Sequence, residues 1–290
     1  MTEKIITYDF KPGLPQEFEI LDLSILYTKA KPILTNPHRS GFYHIIWFQD
    51  CNVTHLVDFK HVKIKPHSLL FLNKDIVHRF DDKVQLKGKV ILFTDTFFCK
   101  TEADFRFLRK SILFHDLLSV SQIHIDHQSE SFTSLVQLME TELQKVGDDL
   151  QANILQNFLR NFLLLSEREI RHQNLNTINK GPDLDSVLLF RDLLEENFKK
   201  HKQVNYYAKE ILLTEKRLNV ATTKVLGKSP KEVVDERVIL EAKRILVHTA
   251  ESVKEIAYQL GFEEPTNFVK YFKKHTAVTP TEFRAQNAMA

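Results

Sequence analysis

The chain has 290 residues, 43% of them hydrophobic and 27% charged, with a formal net charge of +2; this is ordinary globular composition, and the length suits two domains. Its 7 glycines fall well below the roughly 7% of average usage, and neither G-x-G-x-x-G nor G-x-x-x-x-G-K-[ST] occurs, which excludes the common phosphate-loop enzymes. Met1 to Phe10 carries no continuous apolar segment and no run of about 18 apolar residues exists, so no secretory leader or membrane contact is expected, and the cytoplasm is the expected compartment. Cys51 and Cys99 lie far apart in no C-x-x-C pair and read as buried thiols in a reducing compartment.

Up to about Phe98 the sequence reads as short strands. The aromatic and aliphatic runs are 42–48, 53–59, 68–72 and 90–93, separated by turn-like Asn36-Pro37, Lys65-Pro66 and Lys87-Gly88; such spacing predicts a sandwich or barrel. From about Ser131 the period becomes helical. Phe132, Leu135, Val136, Met139 and Leu143 share one face, and a wider stripe runs from Leu150 to Leu163. The 131–165 segment has more apolar residues than one amphipathic face needs, so it packs either wholly within the chain or with one side on a second subunit. The polar stretch 173–182 reads as a linker. The expected organisation is therefore a domain of strands followed by helices over 1–172, the linker, and an all-helical domain over 183–290. That last segment holds 18 Lys+Arg against 16 Asp+Glu, so bulk charge alone does not mark a nucleic-acid partner.

The tail repeats itself at a lag of about 50 residues. Leu218 matches Phe268, Lys224 matches Lys274, and Ser229-Pro230-Lys231-Glu232 matches Thr279-Pro280-Thr281-Glu282. Both tetrapeptides are capping boxes with proline at the first helical position. Tyr207-Ala208 matches Ile256-Ala257, where a small residue lets a second helix cross closely. Gly261 falls where the turn of the second copy requires a left-handed residue. The helix over Glu264 to Lys274 turns Phe268, Tyr271 and Phe272 inward. Its start, Pro265, and its other face, Thr266, Asn267, Lys270, Lys273 and Lys274, are the expected DNA contacts. Amides and hydroxyls suit base edges, and lysines suit phosphates. In the first copy the corresponding residues are Lys216, Arg217, Asn219, Val220 and Lys224. A helix from Pro230 to about His248, with Val234, Val238, Ala242 and Ile245 inward, spans roughly 25–30 Å, close to the 34 Å that separates successive major grooves on one DNA face.

Ser252 through Phe262, Phe268 through Lys274 and Thr279 through Arg284 together resemble the signature of the AraC/XylS family of bacterial transcription regulators. The resemblance implies a two-domain α+β protein: an N-terminal cupin-like β-barrel with helices, sensing a ligand or mediating dimerisation, and a seven-helix C-terminal domain with two helix-turn-helix units. It implies double-stranded operator DNA, a small-molecule effector, a homodimer and, for an activator, RNA polymerase as partners, with no enzyme activity and no cofactor. For the 131–165 segment the resemblance favours a dimer built around Ile154, Phe158 and Phe162. The chain departs from the family at Ala221-Thr222, where a bulky apolar pair is usual.

Thirteen histidines raise a competing reading, a cupin-type metalloenzyme with an accessory DNA-binding tail. The segments around His38 to His44 and His67 to His78 resemble the two cupin motifs in outline. Ser40 stands where a second ligand histidine would be, and no acidic residue lies between His38 and Trp47. An open catalytic site needs three dependable ligands, so no metal is expected. His38, Tyr43, His44 and His78 are instead expected to line an effector pocket inside the barrel. A barrel that binds no ligand and serves only as a scaffold is the third reading.

Overall fold

The computed structural model describes residues 6–50, 52–74, 76–82, 86–114, 120–125, 130–173 and 181–287. The chain divides into two compact units, one comprising 6–175 and the other built from 176–290. Cys51 and most of the expected linker lie outside the described residues.

The N-terminal unit holds two five-stranded sheets. Strands β1 (Ile6–Tyr8), β3 (His38–Ser40), β8 (His78–Arg79), β5 (Val53–Val57) and β6 (Lys60–Ile64) form one, in that order. Strands β10 (Gln122–His124), β7 (Ser68–Leu72), β4 (Tyr43–Phe48), β9 (Gly88–Phe93) and β2 (Phe18–Asp22) form the other. The sheets enclose one apolar interior, with Phe48, Leu70, Leu72 and Val90 facing Val53, Val57 and Phe80. The arrangement is cupin-like, but among the described residues the two sheets do not join into a closed barrel.

All six residues of β4 and all five of β7 are buried. The second sheet is covered on both faces, which is why these strands read as unbroken apolar runs rather than alternations. Its outer face, with Tyr43, Ile45, Trp47, Phe71 and Phe93, packs against α4 (Glu130–Leu143) and α5 (Gln151–Gln173) through Phe132, Met139, Leu155 and Phe162. Phe162 is therefore fully buried within its own unit, its ring 5.2 Å from that of Phe132. This corrects the expectation that it faces a second subunit. The exposed stripe of α5 is Asn153, Asn157, Asn161, Leu164 and Arg168.

A helix not legible in the strand-rich part, α1 (Leu23–Leu34), starts on the Asp22 cap and buries Leu23, Tyr27 and Leu34 in the inter-sheet core. Two short helices, α2 (Asp95–Phe98) and α3 (Glu102–Lys110), follow β9; Arg160 of α5 pairs with Asp104 and lies over the rings of Phe98 and Phe107. Cys99 is buried, and burial pushes its thiol up to about 11, so it stays an unreactive thiol.

The second unit contains helices α6 (Pro182–Asn197), α7 (Val204–Glu210), α8 (Glu215–Leu226), α9 (Pro230–His248), α10 (Val253–Gln259), α11 (Pro265–Thr276) and α12 (Pro280–Asn287), seven among the described residues, as the resemblance implies. They surround one core in which Phe190, Tyr207, Leu218, Val234, Val238, Ala242, Leu246, Ile256, Phe268 and Phe272 meet. Leu246 rather than Ile245 is the fully buried last member of the α9 face.

Candidate nucleic-acid interface

The two halves of the helical unit are built alike. Helices α7 and α10 have 7 residues each, α8 and α11 have 12 each. Both boxes expected at the following helices form. Ser229 Oγ accepts from Glu232 N while the Glu232 carboxylate accepts from Ser229 N; Thr279 and Glu282 repeat the exchange. A third box, Ser252 with Glu255, starts α10. Each box satisfies helix N-terminal donors that otherwise have no partner.

The turns differ for a reason. Gly261 has φ +73°, and a Cβ there would stand 1.9 Å from the carbonyl oxygen of Lys199. Its counterpart Leu212 has φ +58° but is 92% exposed, so the first turn tolerates a side chain that the second excludes. Gly261→Ala is expected to cost on the order of 1–3 kcal/mol in left-handed strain and displaced backbone. A thermal midpoint of the helical far-UV signal equal to that of the unsubstituted chain would contradict this.

Helix α11 presents Thr266, Asn267, Lys270, Lys273 and Lys274 on one exposed side, and Phe268 and Phe272 are fully buried opposite. Lys270, Lys273 and Lys274 form no ion pair among the described residues. Pro265 is half-buried at the first helical position, where it starts the helix rather than reaching outward. Tyr271 is half-buried. Its hydroxyl donates to Asp235 Oδ1 at 2.6 Å, and Lys231 Nζ and His275 Nε2 lie 2.5 and 3.6 Å from the same carboxylate. Burial and then the Asp235 hydrogen bond push the Tyr271 phenol up, so it stays a neutral donor tying α11 to α9.

Helix α8 sorts its expected contacts into two groups. Lys216, Asn219 and Val220 are exposed together with Thr223, which belongs to the same i, i+3, i+4, i+7 stripe. Arg217 and Lys224 lie on the flank toward α6, where both meet Asp183, at 2.5 and 2.8 Å. Ala221 and Thr222, the departure from the family pattern, are fully buried; they belong to the core side and take no part in the exposed face.

Helix α9, with 19 residues, is about 28 Å long at 1.5 Å per residue. It is anchored to α6 by Arg237, whose guanidinium lies 2.8 Å from Glu195, 3.1 Å from Glu241 and 3.9 Å from the centre of the Phe198 ring. A rigid connector of this length, joining two units with matched exposed faces, fits two major-groove insertions on one side of a duplex.

A family model described as a helix-turn-helix domain matches residues 207–286. The lactose operon transcription activator of Staphylococcus xylosus is 33% identical over 93 residues, 32% of this chain and 33% of that protein. The transcriptional activator RhaS of Salmonella dublin is 20% identical over 261 residues, covering 85% of this chain and 86% of the other. Over residues 207–286 the chain carries a helix-turn-helix domain like that of AraC-type transcription regulators. Among solved structures, ToxT from Vibrio cholerae O395 is similar at 17% identity with a TM-score of 0.43, covering 95% of this chain and 96% of that one. The match to the first of the curated relatives spans about a third of that protein's length.

The N-terminal unit holds a second constellation. His38, His78 and His55 come from the adjacent strands β3, β8 and β5, with His38 and His78 in register, and His44 comes from β4 of the other sheet. All four are buried. His55 Nε2 and His78 Nδ1 share a hydrogen bond at 3.1 Å, and His44 Nε2 lies 3.2 Å from Ser40 Oγ. The His78 ring centre is 4.4, 5.1 and 5.2 Å from those of His38, His44 and His55. Burial first, then mutual repulsion, pushes His44 and His55 down to about 3, and His38 and His78 shift the same way. The imidazoles are therefore neutral.

The expected effector residues thus separate. His38, His44 and His78 come together, joined by His55. Tyr43, adjacent to His44 on a strand of period two, faces the opposite side of the sheet and stacks on Phe93 at 5.0 Å. It does not line the inter-sheet interior. His55 could have been found from the alternation Val53, His55, Val57, which puts all three inward. No group of three or more His, Cys, Asp or Glu among the described residues is arranged to hold a metal ion.

Proposed function

We propose that the protein is a sequence-specific regulator of transcription that binds double-stranded operator DNA through α8 and α11. The carrying observation is the pair of helix-turn-helix units with matched exposed faces on a single connector about 28 Å long. Thr266, Asn267 and Lys270 of α11, with Lys216, Asn219, Val220 and Thr223 of α8, are positioned for base edges; Lys273 and Lys274 suit phosphates. The protein works in the cytoplasm, without catalysis of its own, and meets RNA polymerase where it activates. It acts as a homodimer through the N-terminal unit. The exposed Leu164 and Leu138, with the open cleft of about 430 Å³ lined by Ser131, Leu135, Asn161, Leu164, Leu165 and Arg168, support α4 and α5 as the contact. A small-molecule effector shifts this assembly only through unequal affinity for its DNA-competent and incompetent arrangements, and a useful switch needs a coupling of about 1–3 kcal/mol.

Selection of bound duplexes from random DNA tests the reading: a recurring motif with two half-sites supports it, and an unselected pool refutes it. On the selected duplex, Asn267→Ala is expected to cost about 1–3 kcal/mol and to relax preference at one position. Lys274→Ala is expected to weaken binding to all sequences and flatten the salt slope by about one. Equal losses on selected and random duplexes for Asn267→Ala would remove it from base readout.

A further inference from the structure

The two recognition helices differ in how their cations are engaged. Arg217 and Lys224 stand seven residues apart on α8, two helical turns on one flank. Asp183, in the first turn of α6, lies between them: its Oδ1 is 2.5 Å from an Arg217 guanidinium nitrogen, and its Oδ2 accepts from Lys224 Nζ at 2.8 Å. The Asp183 side chain is only 17% exposed. Fifty residues on, the corresponding positions of α11 hold Asn267 and Lys274, both exposed and without an ion pair among the described residues. The helix dipoles favour the arrangement at both ends, with an acid in the first turn of α6 and Lys224 in the last turn of α8. The Arg217 Nη1 atom is buried without an acceptor, so the carboxylate satisfies only part of the guanidinium.

We propose that Asp183 is an internal competitor for DNA phosphate: it occupies Arg217 and Lys224, withdraws two cations from the first helix-turn-helix unit, and leaves the second unit as the main source of affinity. A phosphate reaching this flank must exchange with a carboxylate already bonded to both cations, against the repulsion of the displaced negative charge. Fewer counterions are then released by the first unit than its basic residues would allow, since each neutralised phosphate contributes about 0.9 to the salt slope. The proposal rests on the DNA-binding reading above.

The test uses the full chain and four proteins: unsubstituted, Asp183→Asn, the double variant Arg217→Ala/Lys224→Ala, and the triple combination. Each is titrated onto a selected and a random duplex over a series of KCl concentrations. Asp183→Asn is expected to bind both duplexes on the order of tenfold more tightly at 0.1 M salt, with a slope steeper by about one to two. The double variant removes two positive charges against the single negative charge of Asp183, so it is expected to lose less affinity than the same pair of substitutions costs on Asp183→Asn. Added to Asp183→Asn, it should erase the gain. An unchanged salt slope or a weaker affinity for Asp183→Asn overturns the proposal and makes the carboxylate a support that orients α8. A loss in the double variant as large as the one the same pair causes on Asp183→Asn overturns it equally. Absence of any DNA binding by the unsubstituted chain overturns the DNA-binding reading instead.

Discussion

Between pH 7 and pH 5 the N-terminal unit is expected to lose about 4 kcal/mol of stability through His44 and His55 alone. Both are buried and held down to about 3, against an ordinary value of 6.5. As pH falls below 6.5 the unfolded chain takes up protons that the folded one refuses, so stability is fully present above that value and drains away as pH drops toward 3. At pH 5 each group contributes about 2 kcal/mol to the loss. His38 and His78 shift in the same direction and add to it. The bond between His55 and His78 needs an unprotonated acceptor nitrogen, so protonation of that acceptor also breaks this side-chain contact between the paired strands β5 and β8. Against a typical domain stability of about 5–15 kcal/mol this is a large fraction. Trp47 is the only tryptophan and is buried in this unit, so its fluorescence follows urea unfolding there. Its midpoint should fall by more than about 1 M between pH 7 and pH 5. A midpoint that does not move would mean the histidines are solvated.

Phe272→Ala is expected to cost the helical unit about 3–5 kcal/mol and with it DNA binding. Phe272 is fully buried, and its ring lies 5.9 Å from that of Phe268 and 5.5 Å from that of Phe283. It joins α11 to α12 within the core shared with α9. Fifty residues earlier the corresponding position is Thr222, whose hydroxyl donates to the Asn219 carbonyl oxygen; the second half therefore relies on aromatic packing where the first uses small residues. The readout is the thermal midpoint of the far-UV helical signal, with Trp47 emission as the check that the other unit is intact. A midpoint within a degree or two of the unsubstituted chain would show that the site collapses around the cavity, contrary to this expectation.

The helix-turn-helix units were legible because their signals are local. A capping box needs residues three apart, a left-handed turn needs one glycine, and an amphipathic helix needs a 3.6-residue period. Thr223 was readable by the same stripe as Lys216, Asn219 and Val220. Strand runs were equally clear, but α1 was not. Pro32 lies within its sequence and Ala30 departs from helical angles; the Asp22 cap and burial of Leu23 and Tyr27 decide its conformation.

The sequence by itself determined the repeat, the caps and which face of α11 is polar, since each depends on a local pattern alone; what Tyr43 and His44 meet on the opposite faces of β4, both of them buried, was decided by how the sheet is covered. Only the tertiary structure decided that Phe162 is spent on its own core, that His38, His44, His55 and His78 meet, and that Asp183 holds Arg217 and Lys224 while Asp235 holds Tyr271. These groups stand from 6 to 41 residues apart along the chain, and no periodicity relates an acid on one helix to a cation on another. Such pairings follow from how sheets stack and helices cross, which is fixed by packing of the whole core rather than by any local pattern.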